Sequence, residues 1–354
     1  MAFFRSNTTF LFFTKNLLSA QQLAIWVVLP KFFGYLGFRQ SCEMVTFVKS
    51  LRPKDSGALA MRRIAVLNQK GGVGKTTTSV NLASAMSGAG KTVCLMDLDP
   101  QAHASAHLGV TATRGMNTMY DMLVRQTPWE QTRLQVEPNL WVTPSSLDLA
   151  AAEVELSGMV GREMILRDLV QAEPNAFDVM ILDCAPSLGV LTLNALTCVD
   201  EVIIPLQPHF LALHGLGKLL ETTSLVTKRL NPTLKVTGVV LTLCDLQTKL
   251  THEIVEDLCR FLEKARGGKT PWADAELFRT RIRRNIKLAE CPSFGKSIFS
   301  YAPTCNGAED YALLAQEILN LQPAVMTGRE LGESATRLKV LDLTPNPSPM
   351  AKAG

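Results

Sequence analysis

Between residues 70 and 78 the chain reads KGGVGKTTT, a variant of the phosphate loop G-x-x-x-x-G-K-[ST] with lysine in the leading position. Gly71, Gly72 and Gly74, with Val73 between them, allow backbone amides to turn inward around phosphate oxygens. The following helix offers its N-terminus to the same charge. Lys75 is placed to reach the β- and γ-phosphates of a nucleotide, the Thr76 hydroxyl to ligate Mg²⁺, and Thr77 belongs to the same loop. Two further stretches supply acids: VCLMDLDPQ ends an apolar run in Asp97 and Asp99, and FDVMILDCAPS ends another in Asp183, suited to hold Mg²⁺ through water. ATP with Mg²⁺ is the expected cofactor pair. Lys70 remains to be explained, because Lys75 already fills the phosphate-gripping position.

These residues need a frame that brings the loop and the acids together. RRIAVLN, TVCLMDLD, LWVTPSS, DVMILDCAP, EVIIPLQP and TGVVLTLCD read as strands, several of them continuous apolar runs of the kind covered on both faces. TTSVNLASAMSGAG, GREMILRDLVQA, LHGLGKLLETTSLVTKRL and AEDYALLAQEILNL (308–321) read as helices. The alternation predicts an α/β fold with a mostly parallel central sheet flanked by helices. Such sheets bind ligands at the carboxyl ends of their strands, where the loop after Asn68, the acids after Met96, and Asp183 all fall.

Composition narrows the classes. An apolar content of 47% supports a sizeable core, and a net charge of +4 is too mild to signal a polyanion partner unless the basic residues are gathered locally. Eight scattered cysteines without a CxxC pair argue against a zinc cage or a disulfide framework and read as reduced thiols. Residues 1–60 differ from the rest, rich in phenylalanine (TTFLFF, PKFFGYLGF) and with Glu43 as the only acid before Asp55. Their best apolar run, LLSAQQLAIWVVLP, is short for a membrane span and lacks the layout of a signal peptide. Stable membrane insertion is not expected. Met61 directly precedes RRIAVLNQKGG, so 1–60 reads as an N-terminal extension or over-extended reading frame, 61–322 as the nucleotide-binding domain, and 323–354 as a proline-rich disordered tail.

KGGVGKTTTSVNLA, DLDPQ, DCAPSLGVLTLNAL and NIKLAECPSFGKSI, in that order between about Met61 and Leu321, resemble the ParA/Soj family of chromosome- and plasmid-partition ATPases. That family belongs to the deviant Walker A group of P-loop NTPases, with MinD and the nitrogenase iron protein. The resemblance implies a role for Lys70: it crosses a homodimer interface to the phosphates of the partner's ATP. It implies that Asp99 positions the attacking water, that Asp183 is the Walker B-type acid, and that Asp97 belongs to the switch region. Slow, partner-stimulated hydrolysis, non-specific DNA binding in the ATP state, a ParB-like centromere-binding partner and a cytoplasmic, nucleoid-associated location follow from the same resemblance. Two departures stand out. Ala102 and His103 occupy positions where relatives carry glycine and asparagine, and Arg283 replaces a proline near the base-binding region, which puts adenine contacts in question.

Two basic clusters are candidates for phosphate contacts with DNA. Lys228 and Arg229 close a helix, and FRTRIRRNIK gathers Arg279, Arg281, Arg283, Arg284 and Lys287. Strand alternation would put Arg279, Arg281 and Arg283 on one face. His103 and His107 share a possible helical face, but Ala104 stands where a HExxH site needs glutamate. RGGKTPWADAEL (266–277) reads as a lengthened loop. The competing readings are a MinD-like membrane ATPase, a relative that positions other cargo, and an iron–sulfur reductase using Cys184 and Cys198.

Overall fold

Apolar strand sequences with a two-residue period sort their side chains into two layers, and a computed structural model covering residues 60–209, 212–245 and 248–320 shows which layer receives which. Eight strands form one sheet: β1 (Arg62–Val66), β2 (Val93–Leu98), β3 (Leu134–Glu137), β4 (Leu140–Thr143), β5 (Val179–Cys184), β6 (Glu201–Leu206), β7 (Lys235–Cys244) and β8 (Glu276–Arg283). Their order is β3-β4-β2-β5-β1-β6-β7-β8, parallel throughout except for the β3–β4 pair. Most of residues 1–60, and the tail from 323 on, lie outside the described residues.

The helices divide by strand parity. Ile64, Val66, Val93, Leu95, Val179 and Ile181 point into the layer of α1 (Lys75–Gly88), α2 (His103–His107), α9 (Ile286–Glu290), α10 (Ile298–Tyr301) and α11 (Asn306–Asn320). Ala65, Leu67, Cys94, Met96, Met180 and Leu182 point the other way. There they meet α3 (Met119–Val124), α4 (Leu149–Glu155), α5 (Ile165–Gln171), α6 (Val190–Cys198), α7 (Ala212–Arg229) and α8 (Lys249–Ala265). β2 and β5 are buried at every position, which explains why their sequences are unbroken apolar runs up to their terminal acids.

Two strands and one long helix go beyond the elements expected from sequence. β3 is a half-buried edge strand that turns back onto β4 through Asn139, held at φ 61°. β8 reads in sequence as a basic run because three of its eight residues are arginines, yet Phe278 and Ile282 anchor it in the core. Its free edge is blunted by α11: the Glu317 carboxylate accepts the N–H groups of Arg279 (2.7 Å) and Thr280 (3.0 Å). α8 carries its apolar residues on one stripe, Ile254, Leu258 and Leu262, a helical spacing flanked by charge. The segment expected as a lengthened loop connects α8 to β8 over residues 266–275, its last two residues opening the strand.

Gly238 marks the tightest passage between β7 and β8. A Cβ built there would sit 2.6 Å from the Glu276 carbonyl oxygen and 2.9 Å from the Phe278 ring, distances that real side chains do not reach. Gly238→Ala is therefore expected to destabilise the fold by about 1–3 kcal/mol through overpacking. Chemical denaturation with unchanged m-value and a lower midpoint would register it.

Candidate nucleotide-binding site

The loop after β1 is shaped by its neighbours before any ligand arrives. Asn68, buried at the strand end, donates its amide to the Pro205 carbonyl (2.7 Å) and accepts the Lys70 N–H on its other atom (3.0 Å). Gly72 (φ 73°) and Gly74 (φ 82°) adopt the left-handed conformation that side chains disfavour, so the chain curls tightly enough to present its amides on one side. Thr242, at the end of β7, donates its hydroxyl to the Val73 carbonyl (2.7 Å) and pins the crest of the loop. Gly71, Gly72, Gly74, Lys75, Thr76 and Thr77 line a cavity of about 740 Å³.

Behind the loop stand two carboxylates. Asp97 and Asp183 are register partners on the adjacent parallel strands β2 and β5, and their parity aims both at the α1 layer. Both are fully buried. Asp183 accepts the hydroxyls of Thr76 (2.8 Å) and Ser79 (2.7 Å), one turn apart on α1. Asp97 accepts the Ser105 N–H (2.8 Å) and hydroxyl (2.7 Å) from α2, and the Asp99 N–H (3.2 Å). Burial raises the pKa of both acids, and the charge of Asp97 adds to the rise at Asp183. A divalent cation in front of Asp183 would relieve that cost. The Thr76 hydroxyl directs its proton at Asp183 and keeps its oxygen lone pairs for a hard cation, the donor chemistry Mg²⁺ requires. No group of three or more His, Cys, Asp or Glu side chains suited to a metal occurs among the described residues. A Mg²⁺ shared with phosphate oxygens and water does not need one.

The two lysines of the loop part company. Lys75 is buried, with its ammonium donating to the Lys70 carbonyl (3.2 Å). Burial lowers its pKa, while Asp183 and Asp99 oppose the shift. Lys70 is exposed, does not line the cavity, and rests its ammonium against His209 Nε2. Asp99 does line the cavity, just beyond β2, with its carboxylate accepting the Gln101 N–H (2.9 Å).

The cavity also has an apolar share of lining. Leu243, Ile282, Leu288, Ala289 and Tyr311 belong to it, together with Asn285. The glycine-rich loop with its carboxylates suits a polyphosphate and its cation, and the apolar residues suit a planar base, a pairing that fits a nucleoside triphosphate. Arg283 is absent from the lining: its guanidinium turns to Asp310 (2.6 Å) and Glu309 (2.8 Å) of α11. The expected face shared by Arg279, Arg281 and Arg283 is broken at this residue, because two nearby carboxylates outcompete solvent for its fork. Lys228 and Arg229 are exposed in the last turn of α7, at the end of the sheet away from the cavity. Arg279 is exposed on β8 and Arg281 half-buried. Arg284 is exposed next to Asn285, and Lys287 is paired with Glu290 (2.8 Å) over the Tyr301 ring. The two basic clusters are not brought together.

Ala102 takes φ 53°, the left-handed region where glycine is unstrained, so the departure from the family's glycine is a local strain beside the site. His103 lines the cavity one residue on. His107 does not join it: buried, its Nε2 lies 3.3 Å from Cys291 Sγ. Cys184 and Cys198 are buried thiols on or beside the sheet, with pKa values pushed up by desolvation. Ser79, Ser105, Asn68 and Thr242 escaped the sequence reading. Ser79 alone left a signal, standing three residues after Thr76 on a helix face already committed to the site.

Burial holds the His107 pKa down at about 4, only partly opposed by a hydrogen bond the ring donates to the Lys296 backbone. A histidine that charges more easily unfolded contributes stability above the unfolded pKa, and loses it as pH falls from about 6.5 toward the folded value. Asp97 and Asp183, with raised pKa values, act in the opposite sense, so the effect is read as a difference between proteins. Relative to His107→Gln, the wild type should lose about 2 kcal/mol of unfolding free energy between pH 7.5 and pH 5. Parallel urea titrations at the two pH values check it.

Residues 61–236 match the family model of an AAA domain. The chain is 40% identical over 259 residues to the chromosome partitioning protein ParA of Myxococcus xanthus, covering 73% of this chain and 88% of that one. It is 41% identical over 256 residues to the sporulation initiation inhibitor protein Soj of Bacillus subtilis, covering 72% and 97%. Among solved structures, it resembles cobyrinic acid a,c-diamide synthase from Mycobacterium smegmatis with bound ADP and magnesium, with a TM-score of 0.61, 32% identity, and coverage of 73% and 94%. Identity at this level over nearly the whole length of both curated relatives means that the chain belongs to the ParA/Soj family of ATPases.

Proposed function

We propose that the protein is an ATP-dependent dimerising switch for chromosome or plasmid partitioning. In this reading ATP–Mg²⁺ occupies the cavity, with Lys75 and the loop amides on the phosphates and Thr76 and Asp183 toward the cation. Two ATP-bound chains face each other, and Lys70 of each reaches the other's phosphates, where an added cation offsets charge developing on the γ-phosphate. Asp99 positions the attacking water. The ATP-bound dimer binds DNA without sequence preference, and a ParB-like centromere-binding partner stimulates slow hydrolysis and releases it. Such a protein would work in the cytoplasm on the nucleoid.

The observation that carries the reading is the separation of the two lysines. Lys75 is folded into the cavity wall, whereas Lys70 stands outside the cavity with its ammonium on the surface. A lysine held off its own site is free to serve another. The names of the relatives support the rest, since proteins 40% and 41% identical are a chromosome partitioning protein and a sporulation initiation inhibitor of the same family. Against the MinD-like alternative, α11 buries its apolar face on the sheet through Tyr311, Leu314, Ala315 and Ile318, and so does not offer that face to a membrane.

The test is binding to random duplex DNA with ATP, ADP or no nucleotide, together with the oligomeric state by light scattering. ATP-dependent binding should fall steeply with salt, log K losing about 0.9 per phosphate neutralised for each tenfold rise in salt. Replacing one of Lys228, Arg229, Arg279, Arg281, Arg284 or Lys287 should, where that residue touches phosphate, lower the slope by about one. Lys75→Ala should weaken ATP binding at least about tenfold, the loss of a charge-assisted contact. Lys70→Ala should keep ATP binding within about threefold yet lose ATP-driven dimers. Dimers that form with ATP and ignore DNA at every salt concentration would overturn the DNA reading and move attention to a membrane or protein array. Lys70→Ala dimers indistinguishable from wild type would overturn the trans role.

A further inference from the structure

Asp310 is a carboxylate buried to 4% exposure in α11, and every hydrogen bond it accepts among the described residues comes from one residue. Arg283 gives it the backbone N–H (2.9 Å), Nε (2.9 and 3.1 Å) and Nη2 (2.6 Å). The same Nη2 reaches Glu309 (2.8 Å) and the Asn306 carbonyl (3.4 Å). This bidentate clamp joins the last residue of β8 to the first turns of α11. It does not touch the cavity. Its neighbours do: Ile282 precedes Arg283, Asn285 follows two residues later, Tyr311 follows Asp310, and all three line the cavity. Tyr311 also reaches α1, its hydroxyl 3.1 Å from that of Thr78.

We propose that the Arg283–Asp310 clamp is a positioning device for the nucleotide base, setting the separation between the Ile282–Asn285 wall and Tyr311 and so the preference of the site for a purine. The inference rests on the reading that a nucleoside triphosphate fills this cavity. The phosphate loop has braces of its own, from Asn68, Thr242 and Asp183, none of which Arg283 or Asp310 supplies. Loss of the clamp leaves a buried carboxylate unpaired, which drives Asp310 toward solvent and carries Tyr311 with it. The slot then widens while the phosphate grip persists.

The test compares ATP with CTP, which share ribose and triphosphate and differ in the base alone. Dissociation constants with Mg²⁺ are measured by calorimetry for the wild type, Arg283→Met, Arg283→Lys and Asp310→Asn, with folding checked by circular dichroism. Wild type should prefer ATP. Arg283→Met should weaken ATP about tenfold and CTP by less than about threefold, with Arg283→Lys between the two because a single-point ammonium replaces the fork. Asp310→Asn keeps the side-chain shape and should show the same selective loss, which protects the test if Arg283→Met does not fold. Equal weakening of ATP and CTP in the folded variants would mean a general loss of structure and overturn the inference, as would unchanged ATP binding or a wild type indifferent to the base. A wild type that binds neither nucleotide would overturn the nucleotide reading itself.

Discussion

Two carboxylates held side by side in the buried interior set the terms for this molecule. Asp97 and Asp183 face the same layer because they are register partners on parallel strands, and both are closed off from bulk solvent. The fold meets that cost with hydroxyls: Thr76 and Ser79 serve Asp183, Ser105 serves Asp97. Each of those hydroxyls belongs to a helix that also lines the cavity, α1 through Lys75, Thr76 and Thr77 and α2 through His103. α1 opens from the phosphate loop, and α2 follows the turn that carries Asp99 and Gln101. A cation arriving with phosphates therefore acts on a pair of charges already wired to both segments.

The same arrangement explains the division of labour in the loop. Lys75 is drawn inward by Asp183 and Asp99 against the desolvation that burial imposes. Lys70 has no such attraction and lies at the surface beside His209. Beside the apolar share of the lining, Arg283 is turned away by Asp310 and Glu309, leaving apolar side chains and Asn285 to meet a base. The proline-to-arginine departure that put base contacts in question in the sequence thus leaves the cavity wall apolar.

Much of the frame was legible because its signals are local. The glycines and lysines of the phosphate loop, the acids that end β2 and β5, and the apolar runs of six parallel strands each follow from neighbouring residues, and the structure places them where those residues point. β8 was read only as a basic extended run, since its arginines face solvent or α11 and only Phe278 and Ile282 report its burial. β3 is too short and too exposed to stand out from a loop. The hydroxyl and amide contacts of Asn68, Ser105 and Thr242 were illegible for another reason. Asn68 and Thr242 find their partners far away in sequence, at Pro205 and Val73, Ser105 meets Asp97 across an irregular turn, and a lone serine, threonine or asparagine carries no pattern of its own.

The sequence by itself determined the glycine-rich loop between β1 and α1, the acids that stand at strand ends, and the family to which the order of motifs belongs. It could do so because each depends on residue type at short spacing, or on strand parity. Only the tertiary structure decided how the carboxylates pair, which lysine is buried and which exposed, and where each basic residue ends. Strand register put Asp97 beside Asp183. The packing of α11 against β8 took Arg283 out of the basic face, and the crossover from β6 to β7 carried Lys228 and Arg229 to the far end of the sheet. Those outcomes rest on contacts between segments distant along the chain, and such contacts exist only once the sheet has closed around them.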